Sequence, residues 1–299
     1  MIDAGKYGVS FSLKQCRNLG IDPHACLDWL IDQGWRRFRL MSYWNECEKE
    51  QGNYDFSMLD WQLDRVEAAG GVVTLCLGVK QPRWPEYHWP DWALTLPEKE
   101  KTIALIQFLT ATIEHARGRS CIVSYQLENE ALLEGFGRNI DINRGRLRRE
   151  FQLVKALDTA RPIIMSTSTS WGIPMRRPLP DIVGFSFYKM LYNSKYRRYR
   201  EAFHSPLLDR FRAGMIWLLY GVPSFVHELQ CEPWGPTAIT KMSLEKQDRS
   251  MSPERIRRNI RLARRIGVYP IDFWGAEWWY WRWSHDDTRL SEIVTTNLN

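Results

Sequence analysis

Metal-ligand spacing is missing from this 299-residue chain. Its six histidines (His24, His88, His115, His204, His227 and His285) form no H-x-x-x-H pair, so neither a catalytic metal nor any cofactor is expected. No glycine-rich phosphate fingerprint follows the first strand, which argues against a doubly wound nucleotide-binding sheet. Nor is there a C-x-x-C: Cys16, Cys26, Cys47, Cys76, Cys121 and Cys231 occur singly, several within apolar strands, and are expected as reduced, packed thiols. No apolar run is long enough to span a bilayer, and the opening MIDAGKYGVSF has no apolar signal region, so the expectation is a cytoplasmic protein without a membrane partner. Repeats, low-complexity tracts and Pro/Ser linkers are absent, which predicts one domain over 1–299. The formal charge of +6 is spread rather than gathered in a tail, so no nucleic-acid partner is expected.

What is abundant is aromatic: 15 Trp, 12 Tyr and 12 Phe, a surplus that suggests stacking surfaces as well as core filling. Helix and strand signals alternate along the whole chain. Strands are predicted at Tyr7–Phe11, 36–41, Val72–Leu77, Ile122–Leu127, 162–166, 181–188, 224–229 and Ile271–Trp274. Helices are predicted at 22–33, 57–69, Glu98–Ala116, 144–159, 205–220 and Pro253–Ile266, with 189–201 and 232–249 read as loops. Eight β/α alternations in this length predict an α/β fold, a (β/α)8 barrel of TIM type.

In such a barrel the chemistry sits at the carboxyl ends of the strands. There this sequence places Arg39 after the second strand, Trp84 after the third, Asn129 and Glu130 after the fourth, Tyr188 after the sixth, His227 and Glu228 at the seventh, and Trp274 and Glu277 after the eighth. A carboxylate ending a buried strand is costly unless it is paired, protonated or at work. Glu130 and Glu228 are 98 positions apart (228 minus 130), so they meet only if their strands belong to one closed sheet. Two such acids suit glycosidic cleavage: one protonated at the leaving oxygen, the other facing the anomeric carbon, roughly 5–5.5 Å away for retention or about 6.5–9.5 Å for inversion. The retaining spacing is expected. Arg39 and the Tyr188 hydroxyl would hold Glu228 ionised, and its charge would raise the pKa of Glu130. Asn129 is an amide placed for a sugar hydroxyl.

Asn129-Glu130 after an apolar strand, Glu228 ending a later one, Arg39 after the second and Tyr188 after the sixth resemble the clan A glycoside hydrolases, which include family 5 cellulases and mannanases and family 42 β-galactosidases. The segment WNECEKEQGNYDFSMLDWQLDRVEAAG resembles the second-strand loop and helix of the family 42 type. The resemblance covers nearly the whole chain and implies Glu130 as acid/base and Glu228 as nucleophile. It departs at Ser186, where many relatives carry Asn, and at His227, a position that varies within the clan.

Glu128 and Glu134 compete with Glu130, strand alternation putting 128 and 130 on one side; Glu232 and Glu277 compete with Glu228. Tryptophans at Trp44, Trp84, Trp274 and Trp278 are candidate stacking faces, since seven aromatics in Phe273 to Trp283 exceed what one strand buries. His227 and Glu277 complete the candidate binding set. Taken together these features predict a retaining β-glycosidase on gluco-, galacto- or manno-configured oligosaccharides or small glycosides, monomeric or a small homo-oligomer. A barrel that binds carbohydrate without cleaving it is the alternative.

Overall fold

The computed structural model describes residues 5–133, 136–168, 178–193, 195–202 and 205–296. Among the described residues the strands are β1 (Tyr7–Phe11), β2 (Arg37–Met41), β3 (Val72–Leu77), β4 (Ile122–Leu127), β5 (Ile163–Thr167), β6 (Ile182–Phe187), β7 (Met190–Asn193), β8 (Arg198–Glu201), β9 (Ser224–Gln230) and β10 (Ile271–Trp274). Eight of them close into a barrel in the order β1-β10-β9-β6-β5-β4-β3-β2, so the predicted barrel is present. By contact density the chain forms two compact units, residues 39–183 and residues 1–38 with 184–299.

In the 39–183 unit, β3 and β4 pair in parallel with Thr74 opposite Ser124 and Leu77 opposite Leu127. The alternation of the two strands separates a polar set from an apolar one. On one face the hydroxyls of Thr74 and Ser124 lie 2.8 Å apart, and the Cys76 thiol donates to Gln126. Leu75, Leu77, Tyr125 and Leu127 lie on the other face and are fully buried, with the helix Ser57–Ala68 packed on β3. The helix Glu98–Ala116 buries Leu105, Phe108, Leu109 and Ile113 at i, i+3, i+4 and i+8 spacing, an amphipathic stripe read directly from sequence.

In the other unit, β1 pairs with β10 and β10 with β9, all parallel. Asp22 caps the helix Pro23–Asp32 by accepting from the backbone of His24 and Ala25, and Pro23 occupies its first turn. The tight approach of β6 to β9 demands glycine at 184: a Cβ there would stand 2.7 Å from the Cβ of His227.

Within the stretch 189–201, expected as a loop, β7 and β8 pair antiparallel, with Tyr192 opposite Tyr199 and their rings meeting edge to face. Helices Leu13–Leu19, Leu244–Met251, Ala276–Trp283 and Arg289–Thr296 were not expected either. The first of these is seven residues, capped by Ser12 and stopped by the left-handed Gly20, too short to show a periodicity. All six cysteines are buried thiols, and none forms a disulfide.

Candidate functional site

At the end of β4 the backbone turns through two left-handed residues, Glu128 (φ 50°) and Glu130 (φ 44°). Strand alternation therefore stops at Leu127, and the expectation that it sets both glutamates on one side does not hold. Glu128 is drawn inward. Its carboxylate accepts from the backbone N–H groups of Val79 (2.8 Å) and Lys80 (2.6 Å). It fills the space a side chain at Gly78 would need, since a Cβ there would lie 2.4 Å from Glu128 Oε1. Glu130 is left half-buried, its backbone fixed at both ends: its N–H donates to Ser166 Oγ (2.8 Å) and its carbonyl accepts from Lys80 Nζ (2.9 Å). The rival Glu134 lies outside the described residues.

Between them Asn129 is buried in a dense network. Its Oδ1 accepts from Arg39 Nη2 (3.0 Å), Ser166 Oγ (3.1 Å) and Gln126 Nε2 (3.2 Å), and its Nδ2 donates to Glu86. Arg39 is no surface arginine; it is 1% exposed and also donates through Nε to Gln126 (2.5 Å). Gln126 and Ser166 escaped the sequence reading. Each sits at the last inward position of its strand, and that placement was the only signal for them.

Behind this turn lies a small polar pocket lined by Lys80, Tyr87, Glu128, Asp141, Arg146 and Glu150, among others. Arg146 Nε donates to Glu150 (3.1 Å), and its Nη1 contacts Asp141 (2.5 Å). Burial and then the neighbouring Glu128 carboxylate push Glu150 well above the usual carboxylate range. A group whose pKa is raised by folding stabilises the protein fully below its unfolded value and loses that contribution as pH climbs through its folded value. Glu150→Gln keeps the acceptor for Arg146 without the titration. The variant is therefore expected to be more stable than the wild type at pH 8 and to lose that advantage toward pH 4; urea midpoints at the two pH values check this, and a pH-independent difference would contradict it.

In the other unit Glu228 lies near the end of β9, 5% exposed, and accepts a hydrogen bond from the Tyr188 hydroxyl (2.9 Å), as the sequence suggested. Trp234, from the Pro-Trp-Gly loop and not anticipated, meets the Tyr188 ring edge on at 5.9 Å. Gln230, two residues on, accepts from the backbone N–H groups of Lys189 and Met190 and anchors the start of the ribbon. His227, on the opposite face of β9, is fully buried against Asp272 (2.8 Å); it contributes no accessible surface, contrary to its expected role in binding. Trp274 is nearly buried, and its indole N–H donates to Glu232 (2.7 Å), which occupies that rival carboxylate.

Three further expectations need correcting. Trp44 presents no surface: its ring stacks on Phe108 and its N–H donates to Glu48. Trp278 is enclosed in the helix Ala276–Trp283, with its N–H on Gln247. Glu277, one residue earlier, is fully buried and accepts from the Ser12 backbone N–H (2.6 Å), so it neither faces a ligand nor rivals Glu228. Trp84, by contrast, is 51% exposed, with Phe136 at its edge and Arg138 over its face. Among the described residues no cluster of three metal-ligating side chains occurs.

The closed parallel barrel is a fold this chain shares with solved glycoside hydrolases. Similar solved structures include a GH5_18 protein from Streptomyces cattleya in complex with GlcNAc (TM-score 0.65, 12% identity, 90% of this chain and 70% of that one). Xylanase 10C from Cellvibrio japonicus in complex with xylopentaose is another (0.63, 15%, 97% and 64%), as is the GH53 catalytic domain from Ignisphaera aggregans (0.62, 16%, 92% and 85%). At these identities the likeness is one of fold. No protein-family model and no curated protein matches the chain.

Proposed function

We propose that this protein is a retaining glycoside hydrolase acting on β-linked gluco-, galacto- or manno-configured oligosaccharides or glycosides, with Glu228 as nucleophile and Glu130 as acid/base. The observation that carries the reading is the Tyr188 hydroxyl on Glu228 (2.9 Å), a donor that orients the carboxylate and favours its ionised form, the form that would attack an anomeric carbon. Glu130 supports it as a half-buried carboxyl on a backbone pinned by Ser166 and Lys80, at the end of another strand of the same parallel barrel. In the proposed cycle Glu130 protonates the departing oxygen while Glu228 forms a glycosyl ester. Glu130, now a carboxylate, then takes the proton of the water that cleaves the ester. Trp84 and Trp234 keep enough exposed surface to stack on a sugar, with Asn129 and Arg39 ordering the acid's side of the site.

A panel of nitrophenyl β-glycosides, soluble β-glucans and mannans tests the reading. On whichever substrate turns over, proton NMR during the first minutes is expected to show the β-anomer of the product forming first. First formation of the α-anomer would mean inversion and a water between the carboxyls; no turnover on any of the panel would remove the assignment.

A further inference from the structure

The helix Pro206–Tyr220 is apolar on the wrong side as well as the right one. It buries Ala213 and Ile216, with Asp209 and Arg212, against the protein. At about 100° per residue the opposite face carries Leu207, Phe211 and Leu218 in one strip, flanked by Leu208 and Leu219 on one side and Trp217 on the other. These are not grazing exposures: Leu207 is 77% exposed, Leu218 75%, Trp217 61%, Phe211 58% and Leu219 54%. Scattered surface leucines need no explanation, but a contiguous apolar patch marks a surface that meets something.

The surroundings say what. The helix Pro253–Ile266 packs alongside and holds six arginines against one glutamate. Its outward residues include Arg257, Arg258, Arg261 and Arg265. Arg258 joins Glu201 of the β7–β8 ribbon (2.6 Å), whose tip exposes Lys195, Arg197, Arg198 and Arg200. An apolar strip bordered by an excess of arginine, which Glu201 and Glu254 offset only in part, is poorly suited to a second copy of itself, because a two-fold pairing would bring the arginines of both copies together. It suits an apolar layer covered by anions. Leucine, phenylalanine and tryptophan on the apolar side with arginine at the margin are the pattern of a helix lying in the plane of a bilayer surface. At 15 residues the helix is short of the ~20 needed to cross, and among the described residues no helix is long and apolar enough to cross a membrane. The expectation of no membrane partner rested on the lack of a spanning segment, which does not bear on a helix laid along the surface.

We propose that the face formed by Pro206–Tyr220 and the adjoining arginines docks this protein peripherally on an anionic lipid surface. The test is co-sedimentation of the whole chain with vesicles of phosphatidylcholine alone and of equimolar phosphatidylcholine and phosphatidylglycerol, at low and high salt. The wild type is expected to pellet with the anionic vesicles at low salt, to be released by high salt, and to stay in solution with the neutral ones. Leu207→Gln with Leu218→Gln, and separately Arg257→Glu with Arg261→Glu and Arg265→Glu, should each weaken the partition roughly tenfold or more. Thermal melts confirm that the variants fold; should either multiple variant melt early, Trp217→Gln alone takes its place. No pelleting on anionic vesicles, equal pelleting on both kinds, or binding that none of the variants weakens would overturn the proposal. So would a dimer in sedimentation velocity without lipid that Leu207→Gln with Leu218→Gln dissociates, since the face would then belong to a second copy.

Discussion

Glu228→Ala is expected to lower kcat on a nitrophenyl glycoside by roughly 10⁴-fold or more, equivalent to about 5.5 kcal/mol of barrier, while thermal stability changes little. The size of the effect follows from the proposed mechanism: without the carboxylate no glycosyl ester would form, and a single difficult displacement would replace two easier ones. The cavity left by the side chain admits azide or formate, which attacks the same carbon, so added azide should restore part of the rate and yield the α-glycosyl azide. Glu130→Ala should behave differently. Substrates with a good leaving group need no proton from the enzyme, so nitrophenyl glycosides should keep forming the ester while unactivated disaccharides stop. Azide would then intercept the ester and give the β-azide. Residual rates that are equal in the wild type and both variants would dismiss the pair; loss in Glu228→Ala without rescue, together with an early melt, would make Glu228 structural, held by Tyr188 for packing alone.

The second large effect concerns stability. Arg146 is 5% exposed, and it faces Glu150 and Asp141 directly and Glu128 through its field. Its guanidinium also lies over the Trp89 ring at 5.4 Å. Arg146→Met keeps most of the stem and removes the charge, leaving two buried carboxyls without their cation. Truncating one side of a buried ionic cluster costs about 3–5 kcal/mol, a large share of the roughly 5–15 kcal/mol that holds a folded chain together. A fall in Tm of about 10 °C is expected. Because the deficit comes from uncompensated carboxylate charge, adding Glu150→Gln to Arg146→Met should return part of it, and acidification should do the same. A loss under about 1 kcal/mol, a size typical of exposed pairs, would show that water reaches the cluster and that the Glu128 turn does not depend on it.

That turn also marks how far the linear pattern can be trusted. The run Ile122–Leu127 with Glu130 just beyond it was legible, as was the seventh strand with Glu228, because buried strands and their polar ends are written in adjacent residues. The Tyr188 to Glu228 bond was foreseeable once both were assigned to strand ends. The tryptophans were not. Trp44 and Trp278 belong to short helices whose covering partners, Phe108 and Gln247, stand 64 and 31 positions away (108 minus 44; 278 minus 247), and no local window shows that a ring is already occupied. Ser166, which fixes the Glu130 backbone, is a common residue in an ordinary strand until the sheet brings β5 beside β4.

From its residues alone this chain specified the alternation of strands and helices, the barrel they form, and the acids delivered to the strand ends, because period, capping and desolvation cost are properties of neighbours in sequence. Only the folded structure decided which aromatics stay open to a ligand, which carboxylates are spent on backbone N–H groups or indoles, and which helix keeps an apolar side facing outward. Those outcomes depend on what arrives from elsewhere in the chain to cover a side chain, and burial is a property of the surroundings rather than of the residue.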